Sequence, residues 1–329
     1  MAADPFREHR QMPYRRAFNV LGARLLIDCD SRELMAVAAQ AFEGLPRHSW
    51  PAPMSLHVSL SLGTAQAGRS KRQPAKMQLS SGQGLLHGVM GAGNVVVIAP
   101  AARSASIIVT RDMLRFPYHL RYEIIEFVAL TLAARAQRLV PLHAACIGRR
   151  GKAVLLLGDS GAGKSTLTLL GALAGFEVVA EDSVFVAPKS LRATGLARYL
   201  HVKAGSLALV ERPGQRAAIR RAPVIRRRSG AKKFAYDLRA AGHALAPKPM
   251  ELCAVIRLMP ASRRDLLRTL DRPAMLKQVR STQSYARAQP GWPAFERSLA
   301  RLPAFSLARA RDPAEALAAL DGVLLECGR

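Results

Sequence analysis

The sequence predicts an α/β protein in two parts: a small mixed α+β domain over residues 1–118 and a larger α/β domain over 119–329. Three observations predict it. The run "LLLGDSGAGKSTL" (155–167) joins an apolar strand-like segment to a helix through a Gly-rich turn. The first 110 residues break into short runs of period-two alternation separated by turn residues. Residues 119–138, "HLRYEIIEFVALTLAARAQR", place apolar side chains at helical spacing with no Gly or Pro, which predicts one long helix at the junction.

In the first part, "NVLGARLLIDCD" (19–30) reads as a strand core ending in polar turn residues. "SRELMAVAAQAFEG" (31–44) has a Ser N-cap, helical apolar spacing and a terminal Gly, so a helix is expected. "MSLHVSLSLG" (54–63) alternates like a half-buried strand, "GTAQAGRSKRQPAK" reads as a basic loop, and "NVVVIAP" and "SASIIVT" as two further strands. After Pro141 come strand "HAACIG", turn "RRGK", strand "AVLLLG", the loop, helix "KSTLTLLGALA" and strand "FEVVAEDSVFVA". "ELCAVIRLMP" is a later strand. The C-terminal region is helical, ending in "DPAEALAALDGVLLE" with Asp312 as cap and Pro313 in the first turn.

Composition narrows the classes. Half the 329 residues are hydrophobic, enough to bury a sizeable core. No run of about 18 apolar residues occurs, so no membrane span is expected, and the N-terminus lacks the apolar stretch of a signal peptide. Cys29, Cys146, Cys253 and Cys327 are far apart in sequence, which argues against a zinc or disulfide framework and for a reducing, cytoplasmic setting. The net charge of +26 invites a nucleic-acid reading. Only ten of the 49 basic residues are Lys and Ala is abundant, a bias that GC-rich coding also produces. Residues 189–239 carry 14 basic and two acidic side chains. With aromatics at 5%, a stacking platform is poorly supported, and an anionic ligand or acidic peptide is favoured over nucleic acid.

Gly158, Asp159, Ser160, Gly161, Ala162, Gly163, Lys164 and Ser165 satisfy GxxxxGK[ST], with Thr166 following. Glycines let consecutive N–H groups turn inward as an anion nest at a helix N-terminus. Lys164 would then face the β and γ phosphates of a nucleotide, and the Ser165 hydroxyl a Mg²⁺ ion. Glu181 and Asp182 follow the loop helix closely, whereas motor ATPases usually place their acidic strand further along. They read either as carboxylates that hold Mg²⁺ or take a proton from an incoming hydroxyl, or as turn residues between strands. His143, opening the strand before the loop strand, reads either as a core histidine or as a residue near the phosphates.

"LHAACIGRRGKAVLLLGDSGAGKSTLTLLGALAGFEVVAEDSVFV" resembles the catalytic core of the HPr serine kinase/phosphorylase family, and in particular the HPr-kinase-like proteins of peptide-tailoring clusters, lasso-peptide precursor kinases among them. His143, the loop and Glu181-Asp182 fall in the family's order and spacing; the match covers 141–186, and the tail after Pro188 matches in outline only. The resemblance implies a P-loop kinase core of the HPr kinase/phosphoenolpyruvate carboxykinase type. It also implies transfer of the γ-phosphoryl group of ATP to a serine of a peptide or small protein, in the presence of Mg²⁺. Carried over, Glu181 is the base, Asp182 and Ser165 hold the metal, Lys164 offsets phosphate charge and His143 assists near the γ-phosphate. Homo-oligomers are known in that family.

Two departures stand out. The family usually has Asp-Asp where this chain has Glu181-Asp182, and the second Gly-rich signature of the bifunctional enzymes is missing after Asp182, which weakens phosphorolysis and HPr itself as expectations. Within "RAPVIRRRSGAKKFAYDL" (221–238), the basic residues Arg226, Arg227, Arg228, Lys232 and Lys233 either face phosphates or an acidic peptide, or belong to a solvated loop. Lys233, beside the apolar "FAY", is the one expected to face the site, and Arg228 is a further substrate candidate. Alternatives are a classical HPr(Ser) kinase, a small-molecule kinase, and a nucleotide-dependent regulatory or nucleic-acid-binding module.

Overall fold

In the computed structural model, residues 10–50, 54–63, 73–260, 265–310 and 312–328 are described. They divide into two compact units. One comprises the described residues up to Glu43 together with Trp50–Ala136; the other comprises Gly44–Ser49 and the residues from Gln137 onward. The boundary therefore lies at 136/137 and not at 118/119. The helix expected to open the second domain instead completes the first, because its apolar face packs on the first unit's sheet.

That sheet has seven strands in the order Tyr14–Val20, Ala23–Cys29, Ser55–Gly63, Ser104–Thr110, Val95–Ala99, Leu85–Val89 and Gln78–Gly82. Two neighbouring pairings are parallel and the rest antiparallel. "NVLGARLLIDCD" is a hairpin and not one strand: Leu21 and Gly22 both take positive φ and turn the chain. An apolar run conceals such a turn, since Leu rarely signals a left-handed residue. The helix Arg32–Phe42 starts as expected, with the Ser31 hydroxyl accepting from Leu34 N–H. Much of the expected basic loop, residues 64–72, lies outside the described residues.

The helical run over 117–136 is not uniform. Leu120–Glu126 is wound as a π-helix between α-helical turns. Buried Arg121 donates to Glu126, five residues on, at 3.0 Å. The wider i→i+5 turn places that pair over one another, so that two buried side chains of opposite charge meet.

In the second unit the strands Glu177–Ala180, Ala145–Arg149, Lys152–Leu157, Met250–Met259, Arg192–Gly195, Val184–Val186 and Val140–Leu142 lie side by side. Ala304–Ala308 also pairs with Met250–Met259, in parallel. The loop strand Lys152–Leu157 runs antiparallel to Ala145–Arg149 and parallel to Met250–Met259, and its apolar residues are buried on both faces. One face is covered by the helices Lys164–Leu173 and Pro313–Glu326, and the other by Arg272–Thr282 and Trp292–Leu299. Asp312 caps the last helix through Ala314 N–H as the sequence predicts. The C-terminal region is not wholly helical, since Ala304–Ala308 extends the sheet. No helix among the described residues is long and apolar enough to cross a membrane.

"FEVVAEDSVFVA" is likewise not one strand. It breaks at Glu181–Ser183, and its halves join opposite flanks of the sheet. The acidic pair therefore sits on the crossing segment. The basic stretch after Pro188 is also folded: Tyr199–Val202, Lys232–Asp237 and Val224–Arg226 form a three-stranded antiparallel sheet, with a helix over Pro213–Arg221.

Gly148 pairs with Ala153 in the hairpin that carries the loop strand. A methyl group there would strike the Lys152 carbonyl and the Ala153 Cα. Gly148→Ala is therefore expected to destabilise the unit by about 1–3 kcal/mol through backbone displacement, read as a lower midpoint in denaturant unfolding.

Candidate active site

The loop strand ends at Leu157, and the backbone must then reverse within six residues into the helix starting at Lys164. Gly161 and Gly163 adopt φ of 89° and 109°, a region closed to most side chains. A Cβ on Gly158 would lie 2.9 Å from Ala162 Cβ and 3.3 Å from Leu258 Cβ, so only glycine lets the loop close onto the neighbouring strand. Gly163 caps the helix without a side-chain acceptor, so no cap side chain occupies its first N–H groups. In physical terms this is an anion nest at a helix N-terminus.

Lys164 is almost fully buried, and its ammonium donates to the carbonyls of Gly158 at 2.6 Å and Asp159 at 3.3 Å. Burial lowers its pKa, while the carboxylates of Asp182, Glu181 and Asp159 act in the opposite direction. Thr166 shares a hydrogen bond of 2.9 Å with Ser206.

Glu181 is 5% exposed. Burial, reinforced by the neighbouring Asp182 charge, pushes its carboxyl up to about 7; the Ser165 hydroxyl, Lys233 and Arg227 pull it back. A carboxylate poised near neutrality suits proton abstraction better than an exposed one, which would be too weak a base. Asp182 lies 3.2 Å from His143 Nδ1 and 3.7 Å from the Arg227 guanidinium. Arg227 also reaches Nδ1 of buried His201 at 3.2 Å, and that nitrogen stands 3.8 Å from Glu181.

His143 occupies the bend between Val140–Leu142 and Ala145–Arg149, with its side chain 59% exposed. Its main chain is held from far along the sequence. Gln283, nearly fully buried, accepts from His143 N–H at 2.8 Å and donates to His143 C=O at 3.1 Å. Gln283→Leu would leave both groups without that partner. A loss of about 1–3 kcal/mol is expected in unfolding experiments.

Ser160, Gly161, Ala162, Gly163, Lys164, Ser165 and Thr166 line one cavity of about 540 Å³ with His143, Glu181, Asp182 and Lys233. Gly158 and Asp159 stand behind it, holding Lys164 through their carbonyls. Arg228 does not line the cavity; its neighbour Arg227 does. Arg227, one of the five basic residues read either as facing phosphates or an acidic peptide or as part of a solvated loop, lines the cavity, and the turn "RRSG" decides which arginine faces inward. Two contributors went unseen in the sequence. His201 sits in the alternating "YLHV", where a polar residue at a buried position is a signal. Gln283 carries none, because its partner is 140 residues away.

Among the described residues no three metal-ligating side chains converge. Magnesium in a phosphate site needs only one or two protein oxygens beside the phosphates. The Ser165 hydroxyl and Asp182 carboxylate are hard oxygen donors in the same cavity, so the residues present fit such an ion.

Fold and site together define an α/β unit with an anion nest, a buried ammonium and a carboxylate pair in one cavity. A solved structure, the HPr(Ser) kinase/phosphatase from Coxiella burnetii, is similar over 57% of this chain and 99% of its own, at 13% identity and a TM-score of 0.30. No protein-family model and no curated protein matches the chain.

Proposed function

We propose that the chain is an ATP- and Mg²⁺-dependent kinase that transfers the γ-phosphoryl group to a serine hydroxyl of a peptide or small protein. The observation that carries this reading is the buried Glu181, poised near neutrality in the same cavity as Lys164 and Ser165. The loop N–H groups and Lys164 hold the phosphates, and Glu181 orients the acceptor hydroxyl. As the new O–P bond forms, the bond between the β,γ-bridging oxygen and the γ-phosphorus breaks. The hydroxyl proton passes to Glu181 and ADP leaves. Ser165 and Asp182 would hold Mg²⁺, which offsets phosphate charge when bound. His143 and Arg227 fix Asp182 from two sides. Such a set suffices because phosphoryl transfer is catalysed mainly by positioning and charge.

The peptide acceptor follows from the resemblance of residues 141–186 to the HPr-kinase-like proteins, a lasso-type precursor being the specific case. The test is mass spectrometry of the peptides encoded beside the gene after incubation with ATP and Mg²⁺. A gain of about one phosphate is expected. ADP formation with metabolite hydroxyls, and none with any neighbouring peptide, would move the assignment to a small-molecule kinase.

A further inference from the structure

Beyond the loop, the cavity holds a group of cations that the phosphate-binding parts do not account for. Lys203, Arg227 and Lys233 all line it, and all come from the three-stranded sheet of the basic segment or the residues bordering it. Lys203 follows Tyr199–Val202, Arg227 follows Val224–Arg226, and Lys233 lies within Lys232–Asp237. All three line one cavity, and Lys233 feels the other two: it is held below its ordinary value first by burial and then by Arg227, with Lys203 adding to the repulsion. Glu181 and Asp182 oppose this. The cluster thus borders the carboxylate pair.

Arg227 is engaged with Asp182 and His201. Lys203 and Lys233 are placed differently. Among the described residues, neither has a carboxylate within ion-pair distance. A half-buried ammonium facing two other cations is unfavourable unless an anion joins them. In the kinase reading the nest and Lys164 are taken up by the β and γ phosphates, which leaves these two lysines, lining the same cavity as Glu181, for another anion.

Resting on the kinase reading above, we infer that Lys203 and Lys233 form an acceptor subsite for a carboxylate borne next to the phosphorylated serine. Such a carboxylate comes from an Asp or Glu side chain flanking the serine, or from a peptide C-terminus one residue away. Either would turn cation repulsion into attraction and bring the hydroxyl to Glu181 in register.

The experiment uses the full-length protein with MgATP and synthetic serine peptides. Flanking positions carry Asp/Glu, Asn/Gln or Lys/Arg, each with free or amidated C-termini. Phosphopeptide is counted by mass spectrometry, and KM is measured separately for ATP and peptide. Acid-flanked or free-acid peptides are expected to be preferred by about tenfold or more, one charge-assisted contact's worth. The arm that loses the preference on neutralisation identifies the source. Lys203→Ala should raise the peptide KM about tenfold with the ATP KM changing less than about twofold, and Lys203→Glu should shift preference toward Lys/Arg flanks. Equal phosphorylation of all flanks, or a Lys203→Ala effect confined to the ATP KM, overturns the subsite and leaves the kinase reading standing. No phosphorylation of any peptide, while the protein still binds ATP, overturns both.

Discussion

Glu181→Gln is expected to slow phosphoryl transfer by about 10²- to 10⁴-fold, the range of a positioned general base. The amide keeps the size and the ability to accept from Ser165 but cannot take a proton. Nucleotide affinity should change little, because in the proposed reading the loop and not Glu181 holds the phosphates. The pH profile gives the sharper reading. The base works only when ionised, so wild-type kcat/KM should fall as pH drops through about 7. The variant's residual rate should lack that limb. An unchanged limb in Glu181→Gln would assign the base elsewhere.

The same group links to stability with a defined sign. Its folded value, about 7, stands above its ordinary 4.5. Between these pH values the folded state holds a proton that the unfolded state has released, so stability falls as pH rises from 4.5 through 7. Glu181→Gln carries no such burden. Its stability relative to wild type should grow over that window, by an amount on the order of 1–3 kcal/mol, measured by denaturant unfolding at pH 5 and pH 8.

Lys164→Ala is expected to lower phosphoryl transfer by about 10²- to 10³-fold, as for loss of one preorganised charge contact in a site that excludes water. Lys164→Arg should not restore it. The ammonium sits in a slot only 7% exposed and ties back to Gly158 and Asp159, and a planar guanidinium presents neither the same shape nor a point charge. Because those ties also hold the loop, thermal unfolding measured alongside separates lost chemistry from a lost fold. Retention of most activity in Lys164→Ala would remove the phosphate role.

The elements around the loop were legible because their causes are local. An apolar strand, glycines at the turn and a helix-forming run specify residues 152–173 without outside help, and Ser31 and Asp312 announce their helices by the same short-range logic. The misreadings arose where an apolar run concealed a turn or where packing overrode a local pattern. The Leu21-Gly22 turn is hidden in an apolar run. The helix over 117–136 looks uniform in sequence, yet it holds a π-turn fitted to Arg121 and Glu126 and belongs to the first unit. The break at Glu181–Ser183 is imposed by two different sheet neighbours, which no period-two pattern can encode.

By itself, then, the sequence determined that an anion nest with a lysine stands at a helix N-terminus, since glycine placement and helix propensity act over a few residues. It also placed two carboxylates soon after that helix. Only the tertiary structure decided the surroundings of those carboxylates. Burying Glu181 beside Asp182 raises its proton affinity, while Asp182 is left where His143 and Arg227 can reach it. It also decided that Arg227 and not Arg228 faces the cavity, and that Gln283 anchors His143. Each of these depends on desolvation or on a contact across many residues, and both come into being only when the chain has folded.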